Sequence, residues 1–481
     1  MFIPTRILYV IIAFFISLQN LYPTLSGNQT DALSPIHSPD SLPFTLDIEL
    51  SSIEIPGGVQ SGAFAIYNNK ILYIGGRTNG LHGFNADNDN FPPLLQNTNV
   101  YVIDLETNKV YVKSLSDESS GLNQSEIDSL STTAPEYHQS DKTLYFVGGY
   151  GVDTATGEFS TKPILSSINI PGLTNWVQNP NTKKSAKQYI RQISNPIFQV
   201  TGGALYRATS HSPFLLVFGQ DFEGFYTAGS NGVYTEQVRT FKLIDDGINL
   251  IVFSEKYLPK DPNYLRRDLN VVPLLQIKEK NYVESYAALA GVFTLEDGIW
   301  TVPVFIDTSG NSFMPNPSKN STFKQSMNIY NSAHVGLFSK KANEMHTVVL
   351  GGLTYIDCTG GTCAADPEDP FTNQVIDIVL TKNGKMNQYL MDAAYPFVPT
   401  NVASDLVSSY SPNFIFGAGA RFIPVDKLPL FPNAVFSLDA LKNKTLLGYI
   451  VGGIMSTINN TNTQADSAAS PYIFKVFATP Q

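Results

Sequence analysis

The sequence predicts an all-β protein made of six similar four-stranded units. Three observations lead to this prediction: an apolar strand that ends in glycine recurs along the chain, hairpin turns follow several of the recurrences, and no helical period of useful length occurs. Apolar or alternating runs bounded by Gly, Asn and Asp are typical of strands. Self-similarity at a regular spacing is typical of a repeat architecture.

The recurring strand is clearest where the apolar run Ile71 to Ile74 stops at Gly75 and Gly76. Recurrences are mostly about 60–75 residues apart, which leaves room for four strands and generous loops. The longer last interval predicts an insertion around residues 398–432. The final glycines of the six recurrences are Gly76, Gly149, Gly219, Gly291, Gly352 and Gly453.

These glycines suit a strand that leaves a sheet tightly or a backbone that approaches another closely. The alternative is a phosphate-binding loop at residues 75–80. It is disfavoured because no helix is predicted to follow, and such loops present the phosphate to a helix N-terminus.

Each unit also contains a hairpin after its glycine strand. Asp246-Gly247 and Asn383-Gly384 lie between apolar runs and are strong two-strand turn signals. The last unit has no fourth strand before the chain ends at Gln481, whereas the strand at residues 44–50 has no partner nearby in sequence. We therefore expect the N-terminal strand to complete the last unit and close a ring, which removes an exposed sheet edge.

A strand ending in Gly-Gly, followed by a loop and a Tyr-bearing hairpin, resembles the kelch type of β-propeller repeat over Phe44 to Gln481. Two features depart from that pattern: only four of the six units carry Gly-Gly, and the last kelch strand's Trp is absent, since the chain has only Trp176 and Trp300. The chain resembles, more closely, exported bacterial kelch-like proteins without an assigned activity. The resemblance implies a six-bladed β-propeller closed by its N-terminal strand and an extracytoplasmic location, but no chemistry.

The N-terminus predicts export. Arg6 precedes an apolar run at residues 7–18, and a polar stretch follows. We expect a signal peptide at residues 1–27, a flexible lead-in at 28–43 and the propeller at 44–481. The alternative is an uncleaved N-terminal anchor. No second apolar span occurs, so the mature chain is expected to be secreted or periplasmic without a membrane span.

The amino-acid composition of the chain limits the classes of partner that it is expected to bind. Charged residues make up 15% of the chain and the formal net charge is −10, which argues against a nucleic-acid partner because phosphate binding needs clustered Lys and Arg. In an exported protein, Cys358 and Cys363 are expected to form a disulfide; a redox pair or half of a metal site is the alternative. No metal site and no cofactor are predicted.

Catalytic signatures such as His-Glu-x-x-His and Gly-x-Ser-x-Gly are missing from the sequence. Candidate site residues are therefore chosen by position, because propeller ligands bind at a mouth of the central channel and concave mouths favour small ligands. Inter-blade salt bridges or carbonyl contacts are the alternative role for the arginines. The candidate ligand-binding residues are Arg77, Tyr150, Gln220, Arg266, Arg267, Asp268 and His334, and the candidate catalytic residues are Glu136 and Glu223 with Arg77.

The sequence favours a non-catalytic binding or scaffold propeller whose partner is an extracytoplasmic protein or a glycan. The alternative is a carbohydrate-active enzyme such as a sugar mutarotase or epimerase, which needs a carboxylate and an Arg at the channel mouth. In blade count and compartment the chain resembles exported kelch propellers that interconvert sialic acid anomers. A copper radical oxidase is less favoured, because both cysteines lie in one loop and neither is placed for a Tyr–Cys crosslink.

Overall fold

The computed structural model describes residues 33–86, 90–227, 230, 232–295, 298–398, 413–425, 428–461 and 464–481. Strands dominate these ranges, so the predicted all-β class is confirmed. The predicted signal peptide at 1–27 lies outside the described residues, as do the first residues of the predicted lead-in. Within the described ranges, no helix has the length and apolar character needed to cross a membrane.

Six antiparallel units of four strands make up most of the described chain, here called sheets 1 to 6 in chain order. Within each sheet, every strand pairs with the one before it in sequence, except where the N-terminal strand is used. The strands are Ala63–Tyr67, Lys70–Ile74, Asn99–Asp104 and Lys109–Ser114 in sheet 1; Glu136–Ser140, Thr143–Val147, Ile164–Asn169 and Ile190–Ser194 in sheet 2; Ala204–Tyr206, Phe214–Val217, Val238–Asp245 and Leu250–Tyr257 in sheet 3; Val271–Lys278, Asn281–Ala288, Val304–Asp307 and Ser312–Phe313 in sheet 4; Ala333–Ser339, Glu344–Leu353, Phe371–Leu380 and Met386–Ala394 in sheet 5; and Arg421–Pro424, Thr445–Val451, Tyr472–Pro480 and Phe44–Glu54 in sheet 6.

The N-terminal strand supplies the fourth strand of sheet 6, as the sequence predicts. Phe44–Glu54 runs antiparallel to Tyr472–Pro480, with Phe44 opposite Pro480 and Leu50 opposite Phe474. Its residues alternate between buried and exposed from Phe44 to Glu49, so one face of the strand packs into the core. A strand from near each end of the described chain is thereby held in one sheet.

Further short strands extend or flank the main sheets. Ile36–His37, in the predicted lead-in, runs parallel to the last strand of sheet 5, and Val435–Ser437 runs parallel to its first. The remaining short strands are Leu430–Phe431 beside Val435–Ser437, Tyr150–Val152 with Phe159–Thr161, Gln220–Asp221 with Val233–Tyr234, Ile356–Asp357 with Ala364–Ala365, and Ile415–Ala418 with Ile454–Ser456 and Ser467–Ala469.

Two short α-helices were not predicted from the sequence. Gln124–Leu130 begins at a capping box formed by Asn123 and Glu126. Ile170–Gln178 buries Trp176 in a core cluster shared with sheets 1 and 2. Helices of seven and nine residues span about two turns, which is too short for a helical period to stand out. Short 3-10 turns occur at Pro39–Ser41, Pro93–Leu95, Glu118–Ser120, Ala186–Tyr189, Pro196–Phe198, Pro262–Tyr264, Thr359–Gly361, Pro432–Ala434, Leu438–Ala440 and Gln464–Asp466.

The first strands of successive sheets are neighbours. The first strands of sheets 1 and 2, 2 and 3, 4 and 5, and 5 and 6 are in contact, and the first strand of sheet 6 also contacts that of sheet 1. Sheets 3 and 4 meet where the Tyr206 hydroxyl donates a hydrogen bond to the Val271 carbonyl at 2.6 Å. The contacts therefore run through all six first strands and return to the first.

Cys358 and Cys363 form the predicted disulfide, with their sulfur atoms 2.03 Å apart. The bond closes a loop between the short paired strands Ile356–Asp357 and Ala364–Ala365. Because the two cysteines are only 5 positions apart in sequence, the bond constrains only this one loop.

A buried His–Asp pair in sheet 5 predicts that stability depends on pH. His346 Nδ1 lies 2.7 Å from Asp377 Oδ2, and both side chains are inaccessible. Burial lowers the pKa of His346, but the charge and hydrogen bond of Asp377, together with the charge of Glu344, raise it by more in sum, so the folded-state pKa exceeds the ordinary 6.5. The resulting stabilisation is complete below about pH 6.5 and is lost as the pH rises through the folded-state pKa.

We therefore expect His346→Gln to lower the free energy of unfolding most at acidic pH and progressively less as the pH rises. Urea unfolding of both proteins between pH 5 and 9 measures this difference. A difference between the two proteins that stays constant over this range would contradict the assignment. Comparing the two proteins, rather than the wild type alone, cancels the titration of other buried groups such as Glu136.

Candidate functional site

Two cavities lie along the first strands of the six sheets. The first, called the entry cavity, has a volume of about 350 Å³ and is lined by the residues that immediately precede those strands. Because all six sheets contribute, the lining is set by the repeat itself. The contributing pairs are Gln60 and Ser61, Thr133 and Ala134, Thr201 and Gly202, Arg267 and Asp268, Tyr330 and Asn331, and Ala418 and Gly419.

The second, called the central cavity, has a volume of about 620 Å³ and is lined by the first strands themselves. Asn331 lines both cavities, so they adjoin at the start of the first strand of sheet 5. Each sheet again contributes: Ala65, His138, Tyr206, Val271, His334 and Phe422 are examples from sheets 1 to 6.

One side of the entry cavity is an aromatic wall formed by His82, Phe84, Phe91 and Tyr226. The His82 ring centroid lies 4.7 Å from that of Phe84 and 4.9 Å from those of Phe91 and Tyr226. Burial lowers the pKa of His82 to about 4, so its ring is neutral at pH 7. Phe84 is 47% exposed, which leaves part of the wall open to a ligand.

Arg267 and Asp268 form the charged part of the entry cavity. Arg267 Nε lies 3.5 Å from Asp268 Oδ2, and the guanidinium faces the Tyr226 and Phe293 rings at 5.9 and 5.3 Å. Burial lowers the pKa of Arg267, but Tyr226, Tyr234 and Asp268 raise it by more, so Arg267 stays charged. Its cation is thus held between a carboxylate and aromatic faces.

The Asp268 carboxyl interacts with the side chains of Arg267 and Tyr330. Burial raises the pKa of its carboxyl, and Arg267 and a hydrogen bond with the Tyr330 side chain oppose that rise. The backbone φ of Asp268 is +51°, a left-handed conformation that Asp and Asn adopt more readily than most residues. The geometry therefore places a carboxylate, a guanidinium and a phenol at one side of the entry cavity.

Tyr150 and Gln220, two of the predicted site residues, also line the entry cavity. Their polar atoms bind loop backbone: the Tyr150 hydroxyl donates to the Gly224 carbonyl at 2.7 Å, and Gln220 Oε1 accepts from the Gly232 N–H at 3.0 Å. Both side chains therefore position the loop that carries Tyr226.

Arg77 contacts the segment that carries Phe91, one of the four residues of the aromatic wall. Its Nε donates to Asn79 Oδ1 at 2.9 Å and its Nη2 to the Pro92 carbonyl at 2.8 Å. The guanidinium carbon lies 5.0 Å from the Phe91 ring centroid. Arg77 is 1% exposed and does not line either cavity, so it fixes the segment that carries Phe91.

Arg266 is also inaccessible, and its side chain binds carbonyl groups instead of a carboxylate. Its Nη1 and Nη2 donate to the Leu289 and Val302 carbonyls at 3.0 and 2.8 Å. The guanidinium lies 4.6 Å from the Trp300 ring centroid. Although adjacent in sequence, Arg266 and Arg267 thus differ: Arg266 ties together segments of sheet 4, and Arg267 faces the entry cavity.

The three predicted catalytic residues do not meet at one point. Glu136 lines the central cavity, where its Oε1 accepts from the Gly203 N–H at 2.7 Å. Glu223 lies on an exposed loop and accepts from Gln199 Nε2 at 3.0 Å. Together with Arg77 behind the aromatic wall, they occupy three separate environments.

Burial raises the pKa of Glu136 to about 8. Its Oε2 has no hydrogen-bond partner among the described residues. His334, another predicted site residue, lines the same cavity, and burial lowers its pKa to about 4. At pH 7 these two side chains are therefore largely uncharged.

No protein-family model matches the chain, and no curated protein matches it. Among solved structures, the one titled "Structure of YjhT" is similar, with a TM-score of 0.44 and 11% sequence identity over 89% of this chain and 100% of that chain. Function is therefore inferred from the geometry of this chain alone. Within the described ranges, no group of three or more His, Cys, Asp or Glu side chains could hold a metal ion.

Three cavity residues were missed by sequence reasoning. Tyr330 precedes the first strand of sheet 5 as Arg267 precedes that of sheet 4, so the position relative to the repeat could have identified it. Arg421 begins the first strand of sheet 6, within the segment predicted to be an insertion. His82 comes from a long loop of sheet 1, and nothing in the repeat pattern marks it.

Proposed function

We propose that this chain is an exported six-bladed β-propeller whose entry cavity binds a small glycan without changing it chemically. Each sheet is one blade, and Phe44–Glu54 closes the sixth blade. Supporting a closed ring, the first strands contact one another in succession and the sixth contacts the first. Closure through strands from both chain ends removes a free sheet edge.

Export to a secreted or periplasmic location is supported by the predicted signal peptide at residues 1–27. It is also supported by the Cys358–Cys363 disulfide, because such bonds persist in oxidising compartments. In this proposal residues 28–43 are the lead-in and residues 44–481 the propeller. Ile36–His37 and the buried Leu42 attach the lead-in to the fold.

The observation that carries the ligand assignment is the aromatic wall beside Arg267 and Asp268 in a cavity of about 350 Å³. Small-molecule sites typically occupy about 300–1,000 Å³, so the cavity suits one or two sugar units better than a protein surface. Aromatic faces pack against the C–H face of a sugar, while a carboxylate and a guanidinium bind its hydroxyls. A glycan therefore matches both the aromatic wall and the charged pair of Arg267 and Asp268.

The catalytic alternative is a sugar mutarotase or epimerase acting in the same cavity. The observation that favours it is the Asp268 carboxyl, which hydrogen-bonds with Tyr330 and has a raised pKa. A paired acid and base within reach of one ligand are sufficient for proton transfer to and from a sugar. This assigns the acid–base role to Asp268 instead of Glu136 or Glu223.

Phe84→Ala is expected to weaken glycan binding by roughly tenfold, because it removes the exposed ring of the aromatic wall. Phe313→Ala is the matched control, since Phe313 is 63% exposed on the last strand of sheet 4 and does not line the entry cavity. A glycan array identifies the ligands of the wild type, and calorimetry compares the three proteins. Binding that both changes weaken equally, or no glycan binding at all, would contradict the proposal.

The same ligands distinguish binding from catalysis. NMR follows the exchange of anomers of each bound sugar with the wild type and with Asp268→Asn, which suits the backbone φ of +51°. Exchange no faster than in buffer supports the non-catalytic proposal. Acceleration by the wild type that Asp268→Asn abolishes would replace it with the enzymatic alternative.

A further inference from the structure

We propose that the central cavity is a second binding site, for a small oxyanion received by the guanidinium of Arg421. The site is separate from the entry cavity and does not rest on the glycan proposal. Its ligand chemistry is that of a carboxylate or a phosphate, both of which match the planar donors of arginine.

Arg421 lies where the two cavities adjoin. It is the first residue of the first strand of sheet 6, and Ala418 and Gly419 just before it line the entry cavity. Its Nη1 donates hydrogen bonds to Asn331 Oδ1 and to the Ala420 carbonyl. Since Asn331 lines both cavities, these bonds fix the guanidinium on the central-cavity side of the place where the two cavities adjoin.

The charge of Arg421 affects side chains on several other sheets. It lowers the pKa of Tyr137 in sheet 2, of Tyr206 in sheet 3 and of His334 in sheet 5, in each case as a smaller effect than burial. All three line the central cavity. The cation thus lies among neutral polar side chains from several blades, which can supply further hydrogen bonds to an anion.

Among the described residues, Arg421 forms no ion pair; the Asp268 carboxylate is near enough for Arg421 to lower its pKa, but only as the smallest of the effects that oppose burial. The ion pairs of those residues involve other cations, and Arg421 is in none of them. The other charged residues that line the central cavity are Arg207 and Asp141. Each directly follows the last residue of a first strand, Arg207 in sheet 3 and Asp141 in sheet 2. Arg421 is half-buried, and a half-buried cation that forms no ion pair favours an anionic ligand.

Glu136 supplies the second observation. It is 1% exposed and lines the central cavity, yet its Oε2 has no hydrogen-bond partner among the described residues. With a pKa of about 8, the carboxyl is mostly protonated at pH 7 and can then donate a hydrogen bond. An oxyanion accepts such a bond, whereas a cation would be repelled by Arg421. The volume of about 620 Å³ also admits an organic anion larger than a single ion.

The test is calorimetric titration at pH 7 with sodium phosphate and, separately, with sodium succinate. We expect at least one probe to bind the wild type with a Kd below roughly 10 mM, and Arg421→Gln to weaken it at least tenfold. Arg421→Lys, which keeps the charge, is expected to retain more binding than Arg421→Gln. Arg267→Gln is the control in the entry cavity and should leave the affinity unchanged.

The two probes separate the ligand sources, since preference for succinate indicates a carboxylate and preference for phosphate a phosphoryl group. No binding of either probe overturns the proposal, and so does binding that Arg267→Gln removes but Arg421→Gln does not. Undiminished binding by Arg421→Gln also overturns it, because the guanidinium would then not be the group that receives the anion. Thermal unfolding of each variant verifies that the comparison is between folded proteins.

Discussion

Replacing Gly76 with alanine is expected to lower the free energy of unfolding by about 3–5 kcal/mol. Gly76 has a φ of +80°, in the left-handed region that costs an L-residue about 1–2 kcal/mol. A Cβ at this position would lie 2.1 Å from the Gln60 carbonyl oxygen and 2.7 Å from the Gly62 nitrogen. These are backbone atoms of the segment just before the first strand of sheet 1, so no side-chain rotation relieves the clash.

Gly384→Ala is the matched control, because it separates the cost of the φ angle from the cost of the clash. Gly384 has a φ of +78°, nearly that of Gly76, but nothing lies within 4 Å of an added Cβ. We expect this change to cost only about 1–2 kcal/mol. Urea unfolding of the two variants and the wild type gives both free energies. Equal losses would mean that close approach is not the reason for glycine at position 76.

The glycine strands show why the fold could be predicted from sequence. Gly76 and its counterparts are required by contacts within each unit, so the same residue recurs whenever the unit recurs. The N-terminal strand could be assigned for a related reason. The last unit has no fourth strand before the chain ends, and the strand at residues 44–50 has no partner nearby in sequence, so the two could be matched. Both predictions depend on local patterns repeated along the chain.

The site could be predicted only in part, because its side chains come from six sheets with no fixed spacing in sequence. Arg267 and Asp268 were found from their position before a first strand, and the same rule would have found Tyr330. The sequence could not separate Arg266 from Arg267, since a one-residue step decides which of the two faces the cavity.

Arg421 and Glu136 illustrate a second limit. The role of Arg421 depends on Asn331 and Tyr137, which are distant in sequence and meet it only across the first strands. The raised pKa of Glu136 results from burial, which the single-sequence pattern around residue 136 does not reveal. Long-range electrostatics of this kind require the assembled sheets.

Replacing Phe44 with alanine is expected to cost about 3–5 kcal/mol in the free energy of unfolding. Phe44 begins the N-terminal strand and is 1% exposed. Its ring meets that of His346 edge to face with centroids 5.3 Å apart, so it joins sheet 6 to sheet 5. Alanine would leave a cavity between the two sheets that close backbone packing prevents from collapsing.

Thr45→Ala is the control on the opposite face of the same strand, where Thr45 is exposed and pairs with Thr479. We expect it to change the free energy of unfolding by no more than about 0.5 kcal/mol. A large loss for Phe44→Ala with little change for Thr45→Ala means that the inward face of the strand stabilises the whole fold, as ring closure requires. If the two changes cost the same small amount, the N-terminal strand would be a peripheral addition, and the sixth blade would have to be stable with three strands.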